Sequence, residues 1–244
     1  MSAPQESMSR EEFIERLQKL GEEKYHNRHP FHVRMHEGKL SRAEMQMWIL
    51  NRFYYQQNLP IKDAIIVSKL PTREGRRLWL QRILDQDGCE ESPGGIDAWI
   101  GLGKAAGLTQ EMMHDPALVL PGVRFAVDAY VNFCRHSPWL QAVASSLTEM
   151  FAPSLIAFRI KILKKHYSWI EYSGLEYFQT RLLQAPRDAE HALDLVLSAA
   201  ESREQQLLAL ESVSFKCDVL WAMLDAIEQY SVPANERASL GNKN

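Results

Sequence analysis

The side chains that could do chemistry stand where apolar residues are expected. In the stretch 51-NRFYYQQNLPIKDA-64, Arg52, Tyr55, Gln56 and Leu59 share one face on a helical period. Trp48 and Ile49 lie on that face one turn earlier, so Arg52 and Gln56 prolong an apolar stripe inward. A buried guanidinium beside a buried amide is costly unless something pairs with it. Two readings meet that demand. In one, Arg52 pairs with an aspartate such as Asp63 and fastens a helix kinked at Pro60. In the other, the stripe walls a pocket for an anionic, hydrogen-bonding ligand.

The same oddity recurs on other stripes. Lys216 sits between Val213 and Leu220, on a stripe that Leu224 and Ile227 continue. A lysine in mid-helix has little room to snorkel, so it needs an acid or an anionic ligand. Tyr177 and Arg181 project together one turn apart, Arg82 lies between Trp79 and Ile83, and Arg159 follows Ile156. Each alone reads as a surface residue; several together on inward faces suggest guanidinium forks that read carboxylates and carbonyls.

Metal chemistry has two weaker candidates. His26, His29, His32 and His36 crowd into 25-YHNRHPFHVRMH-36, but Pro30 prevents one regular face and no carboxylate partner lies at a useful spacing nearby. Glu149 with Asp188 and His191 is the other set; a buried hydrogen-bonded cluster is the preferred reading of those three. Signatures of dinucleotide, P-loop and serine-hydrolase sites are absent.

Around these residues the chain reads as all-α. Its 244 residues are 45% hydrophobic and 24% charged, with net charge -3, so no global basic field recruits nucleic acid or anionic lipid. The three cysteines carry no CxxC spacing, and no run is long and apolar enough to span a membrane. A reducing cytoplasm is the expected location. Ser9 with Glu12, Ser41 with Glu44, Ser173 with Glu176 and Ser202 with Gln205 predict helix starts. Pro60 is expected to interrupt one helix, and Pro186 to open another. Further helices are expected over 96–106, 109–114, 122–136, 138–151 and 154–165. Residues 1–232 are expected to form a single helical domain, followed by a flexible tail over 233–244.

Several motifs together are more specific than any helical pattern. YHNRHPFH, NRFYYQ...P.KDA, QRILD.DG, LPGVRFAVDAY, SSLTE.FAP, QAPRD.EHAL and FK.DVLW.MLDA resemble the pyrroloquinoline-quinone synthase family. The resemblance covers about residues 9 to 230 and implies a single-domain helical bundle of the haem-oxygenase-like/TENA type. It implies closure of the third ring of a bicyclic precursor and removal of eight electrons by O2, with release of H2O2 and pyrroloquinoline quinone. No metal or organic cofactor is implied, and a homodimer is. Carried over by position, the family's pocket residues fall on His26, Arg52, Gln56, Lys62, Arg82, Tyr130, Arg159, Tyr177, Arg181 and Lys216. Tyr55 joins them as a substrate-binding residue from its place on the stripe. Cationic groups would neutralise carboxylates and quinone oxygens, Tyr177 and Arg181 would flank oxygen and peroxide, and Lys216 would stabilise a developing anion.

The chain departs from the family pattern twice. Gln86 stands in LDQDG where the family carries a catalytic histidine, and Ile156 where many members have another. An amide orients by hydrogen bonding but does not exchange a proton near neutral pH. Proton transfer then passes to His26, Tyr177 or water, or the chain is an impaired or quinone-binding variant. A metal-dependent oxygenase on Glu149, Asp188 and His191 is the remaining alternative; a thiamin-salvage hydrolase is weaker. Pro153 and Gly174 bracket a segment, 154–175, expected to move on binding.

Overall fold

In a computed structural model, residues 6–231 of the chain are described. Among them are eleven α-helices and no strand. The first three are α1 (Arg10–Lys24), α2 (Pro30–His36) and α3 (Arg42–Lys69). Four more follow: α4 (Arg73–Asp87), α5 (Gly94–Ala105), α6 (Gln110–His114) and α7 (Pro121–His136). The last four are α8 (Trp139–Ala144), α9 (Ala152–His166), α10 (Glu176–Ala199) and α11 (Arg203–Ser231). The tail expected from residue 233 lies outside the described residues.

Local capping sets many of the starts. At α3 the Ser41 hydroxyl accepts from Glu44 N–H at 3.2 Å while the Glu44 carboxylate accepts from Ser41 N–H at 2.7 Å. Ser202 and Gln205 make the same reciprocal pair at α11, and Ser9 caps α1. At α10 the expected box is replaced. A 3-10 turn, Tyr172–Leu175, runs straight into the helix, so Leu175 is the cap and no side chain bonds there. The helix expected over 138–151 divides into α8 and a 3-10 segment, Ser145–Phe151.

The two internal prolines correct a second expectation. Pro60 lies inside α3 and Pro186 inside α10; neither ends or opens a helix. Proline lacks the N–H for one intrahelical bond, a local penalty of about 3 kcal/mol. Burial on both sides of Pro60 outweighs it. Trp48, Ile49 and Phe53 before it and Lys62, Asp63 and Ile66 after it are all buried. Helix α3 packs along α4, α5 and α7, so a continuous rod keeps both halves in one core. Most of the buried apolar side chains form one connected cluster. Helix α11 packs on α1, α7, α8 and the 3-10 segment.

Candidate functional site

A cavity of about 840 Å3, its open mouth included, lies between α3, α4, α9 and α10. Helix α3 contributes Arg52, Tyr55 and Gln56, α4 contributes Arg82 and Gln86, and α9 contributes Arg159. Tyr177 and Arg181 enter from α10, and His26 from the 3-10 turn after α1. Ile156 lines it as well. Tyr25, Trp99 and Thr148 are wall residues that sequence reasoning missed. Each reads as an ordinary core residue; only adjacency to His26 within YHNRHPFH pointed to Tyr25.

The cations divide into paired and unpaired groups. Arg82 donates to Glu149 at 2.6 Å and to the Asp188 carbonyl oxygen. Arg181 donates to Asp188 at 3.1 Å and lies 3.7 Å from Glu149. Burial alone would depress both guanidinium pKa values, but the two carboxylates hold them above the ordinary value. Lys62 lies 2.7 Å from Asp63 and donates to Ser146 at 3.1 Å. Burial pulls its pKa down and Asp63 more than restores it. Asp63 also accepts from the Trp79 indole at 2.7 Å. The internal pair foreseen for α3 is therefore Lys62–Asp63, not Arg52–Asp63.

Arg52, Arg159 and Lys216 have no carboxylate in ion-pair range among the described residues. Arg159 is buried, and its Nε has no hydrogen-bond partner. Desolvation, then the Arg52 charge, lowers the Arg159 pKa to about 10. Arg52 places its guanidinium carbon 4.0 Å from the centre of the Tyr55 ring. Arg52 and Arg159 give the cavity a local positive field inside a chain of negative net charge.

Lys62, Tyr130 and Lys216 do not line the cavity; they form a layer behind Tyr55. Tyr55 and Tyr130 are nearly parallel, 13° apart in plane and 6.5 Å between centres. Lys216 Nζ lies 4.2 Å from the first ring centre and 3.3 Å from the second. It has no hydrogen-bond partner, and burial, then Arg52 and Lys62, holds its pKa well below the usual lysine value.

The amides and hydroxyls offer the ligand directional bonds. Tyr177 donates to Gln56 Oε1 at 3.0 Å, which leaves Gln56 Nε2 buried without an acceptor. Gln86 Oε1 is buried and unpaired, pressed on Gly95, where a Cβ would stand 2.5 Å from it. A side chain at position 95 would require the Gln86 amide to shift.

The histidines do not converge as metal ligands. His29 lies 3.0 Å from Asp225 and its Nδ1 accepts from Phe31 N–H at the start of α2. His26 and His32 bond each other, and His36 packs edge-on to Phe158. In the other set, Arg82, Arg181 and Arg187 occupy the carboxylates of Glu149 and Asp188. No group of three or more possible ligands assembles among the described residues.

A model of the TENA/THI-4/PQQC family matches residues 14–226. The chain belongs to this family. Within it, the pyrroloquinoline-quinone synthase of Pseudomonas aeruginosa is 52% identical over 221 residues, 91% of this chain and 88% of the relative. That of Cronobacter sakazakii is 52% identical over 203 residues, 83% and 81% of the two chains. The TENA/THI-4/PQQC assignment agrees with the architecture. A TenA homologue from Pseudomonas syringae superimposes with a TM-score of 0.72 at 15% identity, covering 91% of this chain and 96% of its own. A haem-oxygenase-like domain from Shewanella denitrificans gives 0.71 at 11% identity, covering 91% and 93%.

Proposed function

We propose that the cavity binds the bicyclic, multiply carboxylated precursor of pyrroloquinoline quinone and that the chain is a pyrroloquinoline-quinone synthase. The observation that carries this is the buried Arg159 guanidinium with no carboxylate in reach. A buried cation without an anion is expensive, and a ligand carboxylate or quinone oxygen relieves that cost on binding. Arg52 supplies a second unpaired charge. Arg82 and Arg181, paired with Glu149 and Asp188, hold the far wall in shape. Similarity to named synthases over most of the chain supports the same activity.

In this reading the precursor closes its third ring and loses eight electrons to O2, with release of H2O2. The chain's own residues bind, orient and exclude water. The electrons leave from the reduced substrate itself, without a metal or organic cofactor. The acting form is a cytoplasmic homodimer, and the segment 154–175 closes over the ligand.

Gln86 favours a second reading, a protein that binds the quinone without making it. Single-turnover mixing with the precursor in air, following quinone absorbance and oxygen uptake, separates the two. Turnover by the chain as it stands supports the synthase. Turnover only after Gln86→His assigns the missing proton transfer to that position. Binding without oxygen uptake in both supports sequestration, and failure to bind the quinone at all overturns both readings.

A further inference from the structure

His32 lies outside the cavity lining, yet it is bonded to two residues that line it. Arg159 Nη2 is 3.1 Å from His32 Nε2 and 3.5 Å from its Nδ1, so it lies beside the ring and does not by itself place the proton. The His26 carbonyl oxygen does: it stands 3.0 Å from His32 Nδ1 and only accepts, so a neutral His32 carries its proton on Nδ1 and leaves Nε2 bare. His26 Nδ1 lies 3.1 Å from that same nitrogen. A proton on His26 Nδ1 would confront the His32 N–H head-on. His26 Nδ1 must therefore be bare too, and its proton sits on Nε2.

We infer that His32 is a positioning residue: its Nδ1–H, held by the His26 carbonyl, locks His26 as the Nε2–H tautomer, a fixed hydrogen-bond donor to an oxygen of the bound ligand. His26 lines the cavity, and its Nε2 has no protein partner among the described residues. Both rings are held neutral. Burial, then Arg52, Arg159 and Lys216, depresses the His26 pKa; burial, then Arg159, does so at His32. A neutral imidazole presenting N–H is an electrophile that polarises a carbonyl or steadies an oxyanion. It is not a base, because the edge facing the ligand already carries its proton. That removes His26 from the groups able to replace the missing histidine at position 86. The tautomer is a property of the empty protein; only its use as a ligand donor rests on the function proposed above.

The first test needs no ligand: nitrogen-15 NMR of the histidine side chains at pH 7. The expected spectrum has His26 neutral and protonated on Nε2, and His32 neutral and protonated on Nδ1, the less common free tautomer. A charged ring at either position, or a proton on His26 Nδ1, overturns the inference. The second test compares His32→Asn with His32→Phe, reading His26 tautomer and pyrroloquinoline-quinone affinity in each. Phenylalanine presents no N–H here, whereas asparagine keeps one near the Nδ1 position. His32→Asn is expected to keep the Nε2–H tautomer and an affinity several-fold above that of His32→Phe. Equal losses in both, with His26 unchanged, would reduce His32 to packing and sink the positioning role. An unmodified protein that shows the expected tautomers but no quinone binding would refute the proposed function and leave the tautomer lock standing.

Discussion

Lys216 Nζ occupies the gap between two nearly parallel rings, 4.2 Å from the centre of Tyr55 and 3.3 Å from that of Tyr130. Aromatic faces attract a cation, but they do not replace the hydration of an ammonium group. Burial, with Arg52 and Lys62 adding repulsion, therefore favours the uncharged amine in the empty protein. Tyr55 is the partition between this amine and the cavity, which its other neighbour Arg52 lines.

A polyanion entering the cavity offsets the Arg52 charge and raises the Lys216 pKa toward its ordinary value. Binding should therefore be accompanied by proton uptake. Calorimetric titration of the quinone in two buffers of different ionisation enthalpy measures it directly. Identical heats in both buffers would show that Lys216 does not change charge on binding.

The same unpaired amine makes a stability prediction. Lys216→Met replaces a buried polar atom that has no hydrogen-bond partner by a thioether of similar length. The fold should be unchanged or more stable, by about 1 kcal/mol, while quinone affinity falls at least about tenfold. Denaturant unfolding and equilibrium binding test the two halves. Marked destabilisation would mean that the amine is charged and held by the rings.

Asp63 behaves in the opposite way. It holds the buried Lys62 at 2.7 Å and accepts the Trp79 indole N–H at 2.7 Å, so removing it strands two buried donors. Asp63→Ala should cost about 3–5 kcal/mol of folding stability, read from the denaturant midpoint. Asp63→Asn, which keeps an acceptor, should cost less. A loss below about 1 kcal/mol for Asp63→Ala would place the pair among the weak surface bridges.

Stability should also fall on mild acidification. The folded-state pKa values of His26 and His32 are depressed well below 6.5, and that of His36 to about 4, with burial the first cause in each. The unfolded chain therefore binds protons from about pH 6.5 downward while the folded chain does not. Linkage then makes the stabilisation complete above that value and progressively lost as pH falls toward the folded-state pKa values. Urea midpoints at pH 7.5, 6 and 5 should decline in order. A flat profile would mean that these rings are charged in the folded state.

Much of the site was legible because burial leaves a signature in spacing. Arg52, Gln56, Arg82, Arg159, Tyr177 and Arg181 interrupt apolar stripes, and all of them reach the cavity. Caps such as Ser41 with Glu44 were legible for the same reason: both partners lie within one turn. Pro60 and Pro186 misled, because a local penalty was weighed without the tertiary packing that outweighs it.

The sequence by itself determined the all-α class, most helix boundaries, the family and the set of polar residues turned inward. These depend on periods of three to four residues and on motifs read along the chain. Only the tertiary structure decided which cations are paired. Arg82 finds Glu149 across 67 positions, and Lys216 lies between tyrosines from α3 and α7. It also decided the protonation pattern of His26 and His32, which turns on how the two rings face each other, and it set Arg159, 127 positions away, against His32. Pairing, desolvation and tautomer are set by neighbours that the fold brings within about 3–4 Å, and no spacing along the chain encodes those distances.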